Sequence, residues 1–183
     1  MSTTGQVQPI THVFTDDGLV PNNPLPFVCY RAVIPLDRVD PESTVEALFA
    51  INDWGDMWRN GVYGYLHYHS MIHEAMGVAR GRARVRFGGD HGEVIEIAAG
   101  DAAILPAGTG HQCLWISDDF SVVGAYPRAG TYDLVRPSKE AHVRALQTVP
   151  KVPPLRSDPV FGPDGPVVQL WATMPGSTRA GKS

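Results

Sequence analysis

The stretch GVYGYLHYHSMIHEAMGVARG, residues 61–81, sets His67, His69 and Glu74 between Gly61 and Gly81. In an extended strand, side chains two apart share a face, so His67 and His69 project together while Tyr68 points away. The residues after His69 can turn the chain back, so that a neighbouring strand brings the Glu74 carboxylate to the same point from the side. His73 stands next to Glu74 and competes with it. Neighbours on a strand face opposite ways, so both cannot serve one ion without a bulge. The reading favours Glu74 as ligand and places His73 behind the ligands or at the pocket rim.

A second stretch, GDAAILPAGTGHQCLW at 100–115, completes the set. Pro106, Gly108 and Gly110 predict a tight turn that delivers His111 at the start of a strand. Three imidazoles and one carboxylate form a mixed nitrogen and oxygen donor set, suited to Fe(II), Mn, Ni, Cu or Zn and poorly suited to Ca or Mg. One or two coordination positions would stay open for substrate or water.

Together the two stretches resemble the paired signature motifs of the cupin superfamily, G-x(5)-H-x-H-x(4)-E-x(6)-G and G-x(5)-P-x-G-x(2)-H-x(3)-N. Every defining position matches except the last, where Trp115 stands in place of asparagine. The HYHSxxHE run and the DPVFGPDGP tail are similar to small single-domain bacterial cupins of the YjlB-like group. The resemblance implies a double-stranded β-helix, or jelly-roll barrel, with a metal on His67, His69, Glu74 and His111. It implies pairing into a homodimer through a sheet edge. It implies no one reaction, because cupins include dioxygenases, isomerases, lyases, decarboxylases and storage proteins.

The rest of the chain fits a mainly β protein. The 19 Gly and 16 Pro are spread along 183 residues, a punctuation that suits many short strands and turns. From Val62 to Tyr126, runs rich in Val, Ile, Tyr and Phe are broken by GVARG, GGDHG, AAGD and PAGTG, which predicts six or seven antiparallel strands. Ahead of them lie a strand at FVCYRAVI, 27–34, and a helix in DPESTVEALFAINDWG, with Asp40 as cap, Pro41 at its first position and Gly55 after its end. A second helix is predicted over Ser138 to Thr148, followed by an extended strap, KVPPLRSDPVFGPDGPVVQLW. The expected organisation is one domain over 1–183, with a barrel at about 25–130, helix and strap at 131–175, and a frayed end at 176–183.

A net charge of −4 with 15 Lys plus Arg lacks the basic bias that nucleic-acid binding needs. No apolar run reaches the roughly 18 residues needed to cross a bilayer, and no leader pattern opens the chain, so a cytoplasmic protein is expected. Cys29 and Cys113 read as reduced thiols. No motif for an organic cofactor is present. Strand parity sends Tyr63, Tyr65, Met76, Cys113 and Trp115 into the barrel with the ligands, where Tyr63, Met76, Cys113 and Trp115 would line a substrate pocket. Tyr65 and His73 are candidates to steer protons. Arg82, Arg84 and Arg86 alternate with Ala83, Val85 and Phe87, which puts the arginines outside. The expected function is a metal-dependent enzyme for a small polar organic molecule, with Fe(II) oxygenase chemistry favoured. The alternatives are a Lewis-acid isomerase or lyase and a non-catalytic metabolite-binding module.

Overall fold

A computed structural model describes residues 7–174. Among the described residues nine strands form two antiparallel sheets: β1 (Ile10–His12), β2 (Phe27–Tyr30), β3 (Trp54–Asn60), β4 (Glu74–Arg80), β5 (Arg82–Phe87), β6 (Glu93–Ala98), β7 (Ala102–Leu105), β8 (His111–Ile116) and β9 (Ser121–Pro127). The larger sheet runs β1-β2-β7-β4-β9-β3 and the smaller β6-β5-β8. Their facing surfaces enclose Phe27, Met76, Val78, Val85, Phe87 and Ile97, the interior of a jelly-roll barrel. Six strands lie between Val62 and Pro127, as the punctuation predicts.

Alternation along β4 divides the protein into layers. Glu74, Met76 and Val78 face the barrel, whereas Ala75 and Ala79 face a second apolar cluster with Val45 and Phe49. The helix that covers this outer face is α1 (Pro41–Ile51), started by the Asp40 carboxylate accepting from the Ser43 backbone N–H at 3.1 Å. It approaches so closely that a Cβ at Gly77 would lie 2.4 Å from Val45. The helix ends ahead of Gly55, as expected, and Asp53, with a left-handed φ of 66°, turns the chain straight into β3.

The second helix, α2 (Lys139–Thr148), starts as expected on Ser138, whose hydroxyl accepts from the Ala141 N–H at 3.1 Å. The tail departs from the expectation of an extended strap. After its irregular first part it forms α3 (Pro166–Ala172), with Pro166 in the first turn, where its missing N–H costs nothing. The DPVFGPDGP run is a latch. Asp158 is fully buried, accepts from the Val160 and Phe161 N–H groups, and takes the Tyr30 hydroxyl at 2.5 Å. That hydroxyl in turn accepts from the N–H of Val167, so the tail is pinned to the outer face of β2. The stretch expected to fray, 176–183, lies outside the described residues. Cys29 and Cys113 are both free thiols. Among the described residues no helix is long and apolar enough to cross a membrane.

Candidate metal centre

Residues 61–73 are not a regular strand, yet the alternation expected of one holds where it matters. His67 exchanges two backbone hydrogen bonds with His111, at 3.2 and 2.9 Å, and Tyr68 exchanges two with Val135, at 3.0 and 2.9 Å. Held on both sides, the segment sends His67 and His69 into the barrel and Tyr68 outward against Val20, Ala145 and Val149. The turn at 106–110 delivers His111 as the first residue of β8, and Glu74 is the first residue of β4.

All three imidazoles are held by the same device. His67 Nδ1 lies 2.9 Å from the Tyr65 carbonyl and His111 Nδ1 3.0 Å from that of Thr109, while His69 Nδ1 is hydrogen-bonded to the carbonyl of Asp133. A carbonyl only accepts, so each Nδ1 carries the proton and each Nε2 presents a lone pair. The three nitrogens lie within 4.8 Å of one another. Glu74 Oε2 sits 3.3 Å from His69 Nε2 and 3.2 Å from His111 Nε2. Despite those distances it receives no hydrogen bond, because in these tautomers no N–H points at it. A buried carboxylate oxygen facing lone pairs is an electrostatic deficit that a cation at their centre removes. The donor set therefore fits a divalent transition metal.

The electrostatics carry the same imprint. Burial, with His111 close by, pushes His67 down to about 3. Burial also opposes charge on His69, but the Glu74 carboxylate outweighs it and raises the group. Burial alone would raise Glu74, and only positive charge at this spot, on protonated His69 and His111 or on a cation in their place, holds it well below the usual carboxylate range.

Above the four groups lies a cavity of about 410 Å³. Trp58, Val62, Tyr63, Met76, Tyr126 and Tyr132 line it, with Asp56, Arg59 and Asn60 among its exposed lining residues. The Arg59 guanidinium is already engaged by Glu46, with both contacts at 2.7 Å.

Of the residues expected in the pocket, Tyr63 and Met76 line the cavity. Tyr65 does not: its ring stacks on Tyr63 and carries the Arg136 guanidinium 4.2 Å from its centre, and it serves the site through its carbonyl. His73 faces the other way, as alternation from Glu74 requires. Its Nδ1 accepts from the Ala107 N–H at 2.9 Å, its Nε2 donates to the Pro153 carbonyl at 3.1 Å, and its ring packs on Trp171. With both nitrogens occupied it neither ligates nor reaches the cavity.

Trp115 and Cys113 also need correction. The pairing of β8 with β5 matches Val85 with Cys113 but Arg84 with Trp115, leaving Leu114 as an extra residue. This bulge reverses the alternation and puts Trp115 on the outer face, near the guanidinium groups of Arg82 and Arg84. Cys113 packs against the barrel interior without lining the cavity. The arginines themselves lie outside and Ala83, Val85 and Phe87 inside.

Sequence reasoning missed Trp58, Tyr126, Tyr132 and Asp133. The Asp133 carboxylate accepts from the Ser70 and Met71 N–H groups, clamping the turn after His69, while its carbonyl fixes the His69 ring. Tyr126 could have been found from the glycine two residues before it in the strand, since such a glycine marks a close approach.

The chain is 33% identical over 162 residues to the Bacillus subtilis (strain 168) protein named Uncharacterized protein YjlB, covering 88% of this chain and 95% of that one. No family model matches. Among solved structures, it overlaps with acireductone dioxygenase from Bacillus anthracis at 13% identity and a TM-score of 0.36, over 50% of this chain and 63% of that one. For a DUF861 family protein from Thermotoga maritima the values are 18% and 0.33, over 48% and 92%. For the Escherichia coli ribosomal oxygenase YcfD they are 19% and 0.39, over 56% and 32%. The chain thus spans less than two thirds of the two oxygenases and nearly all of the DUF861 protein.

Proposed function

The chain belongs to the YjlB-like group of the cupin superfamily, and from that premise we propose that it is a metal-dependent enzyme acting on a small organic molecule in the cavity above His67, His69, Glu74 and His111. The observation that carries this reading is the convergence of three Nε2 lone pairs and an unbonded Glu74 oxygen at the floor of a cavity large enough for a small ligand. Fe(II) oxygenase chemistry is the version we favour, since a mixed imidazole and carboxylate set beneath an open cavity leaves positions for two exogenous ligands. A divalent metal bound there supplies Lewis acidity and, if it is iron, redox capacity toward dioxygen.

The protein's own contribution is positioning and exclusion of water. The rings of Trp58, Tyr63 and Tyr132, with Met76 and Val62, give a substrate an apolar wall. Tyr63 and Tyr132 are half exposed and offer hydroxyls for hydrogen bonding at the cavity surface. Because Arg59 is paired with Glu46, the lining offers a substrate no unengaged guanidinium, which favours molecules that bring their polar group to the metal.

The test is elemental analysis of protein purified without added metal salts, followed by turnover screens with and without oxygen. One equivalent of transition metal, with oxygen uptake coupled to substrate loss, is the expected result. Metal-dependent turnover that ignores oxygen would assign the site to isomerase or lyase chemistry. A metal-free protein whose ligand binding is indifferent to chelators would overturn the enzyme reading.

A further inference from the structure

One oxygen of Glu74 faces the imidazoles, and the other is spoken for. Tyr126 Oη lies 3.2 Å from Glu74 Oε1 and 2.9 Å from Trp58 Nε1. An indole N–H only donates, so the hydroxyl accepts from Trp58 and must spend its own proton on the carboxylate. The direction of the chain is thereby fixed: Trp58 to Tyr126 to Glu74.

The backbone is shaped to make this chain. Gly55 pairs with Tyr126 and Trp58 with Gly124, so two residues of β3, Asp56 and Met57, stand opposite Ala125 alone. Asp56 takes a left-handed φ of 49° at this bulge. Strict alternation from Trp54, which faces the helix side, would send Trp58 the same way; the extra residue turns it into the barrel. Its ring then lies across Gly124, where a Cβ would fall 2.0 Å from Trp58 Cε2. Only glycine at 124 admits the ring in this position.

We propose that Tyr126 is a positioning residue for the metal centre: its hydroxyl, fixed by Trp58, occupies Glu74 Oε1 and restricts the carboxylate to coordination through Oε2. The inference rests on the metal-centre reading above. Its consequence is that a coordination position which a two-oxygen carboxylate would fill stays open toward the cavity. The Tyr126 ring also forms part of the cavity wall, so the residue that sets the ligand mode borders the space where substrate would sit.

The experiment is Co(II) titration of metal-free wild type, Tyr126→Phe, Trp58→Phe, Glu74→Gln and the Tyr126→Phe/Glu74→Gln double variant. Affinity is read by competition with a chromophoric chelator, and coordination by visible absorption. Wild type should bind one Co(II). Tyr126→Phe should keep that stoichiometry but lose about 10- to 100-fold in affinity, the effect usual for an outer partner of a ligand. Its visible bands should weaken as the freed oxygen raises the coordination number. Trp58→Phe, which keeps the tyrosine but loses the N–H, should shift both readouts the same way and less. In the Glu74→Gln background, Tyr126→Phe should change both far less, because an amide has no second oxygen for the hydroxyl to withhold. An equal effect in both backgrounds would show a merely structural role and overturn the proposal. So would unchanged affinity and bands in Tyr126→Phe. Failure of the folded wild type to bind Co(II) would instead overturn the metal-centre reading on which it stands.

Discussion

Replacing His73 with alanine should destabilise the fold and spare the metal site. The imidazole is buried, accepts from the Ala107 N–H and donates to the Pro153 carbonyl. Its removal leaves the buried Ala107 N–H without a partner, at roughly 1–3 kcal/mol, and releases the carbonyl of the exposed Pro153 to water. The vacated space against Trp171 adds a cavity term, for a total of about 4 kcal/mol. For a chain of this size that lowers the thermal midpoint by roughly 8–16 °C. Burial also pushes His73 down to about 4 from an ordinary 6.5. The unfolded chain therefore takes up a proton between those values that the fold refuses, so the contribution of neutral His73 is complete above pH 6.5 and is lost as pH falls towards 4. The shift corresponds to roughly 3 kcal/mol. Urea unfolding of chelator-treated wild type and variant across pH 7.5 to 4 separates this component from those of other groups, since only the wild type carries it. The gap between the two proteins should be widest at neutral pH and narrow on acidification. A variant of unchanged stability that has lost its metal would refute the reasoning and make His73 a ligand.

Removing a ligand should have the opposite profile: His67→Ala or His111→Ala should abolish stoichiometric metal binding, measured by elemental analysis after dialysis, while leaving a folded protein by circular dichroism. Gly124→Ala should force the Trp58 ring from its seat, where a Cβ would come within 2.0 Å of it. The expected cost is about 1–3 kcal/mol in thermal or urea unfolding, accompanied by a changed near-ultraviolet spectrum. Trp115→Ala should cost about 1 kcal/mol or less, the worth of an exposed ring beside two guanidinium groups, and should leave metal affinity unchanged by competition titration. Burial pushes the Cys29 thiol up to about 11, so a thiol-labelling assay at pH 8 should find Cys113 alone reactive in the native protein and both thiols after unfolding.

The parts of the fold legible in the sequence are those marked by local chemistry. Asp40 followed by Pro41, and Ser138 ahead of a helical stretch, are start signals whose physics is complete within a few residues, and both helices begin where they say. The histidine spacing is legible for the same reason, because alternation needs only local extension. The illegible parts depend on distant partners. β1 is a three-residue edge strand that exists because β2 is there to pair with it. α3 spans seven residues, too few for a helical period to declare itself, and is held by Tyr30 and Asp158 from outside its own sequence. The carbonyls that fix the His69 and His73 rings, of Asp133 and Pro153, lie 64 and 80 residues along the chain.

Two tryptophans show how far a single extra residue reaches. Counted by parity from His111, Trp115 belongs inside the barrel; counted from Trp54, Trp58 belongs outside it. Each strand carries one bulge between the reference residue and the tryptophan, and each bulge inverts the count. Trp115 is thereby turned out to the arginine face and Trp58 is turned in to the hydroxyl that holds Glu74. One of the aromatic rings above the candidate metal site is therefore supplied by β3, ahead of both signature motifs. The departure from asparagine at Trp115 leaves the cavity untouched, since the side chain at that position never enters it. What shapes the pocket is the pairing of Trp58 with Gly124, a large ring admitted by a missing Cβ, and it can be read only once the register of β3 against β9 is known.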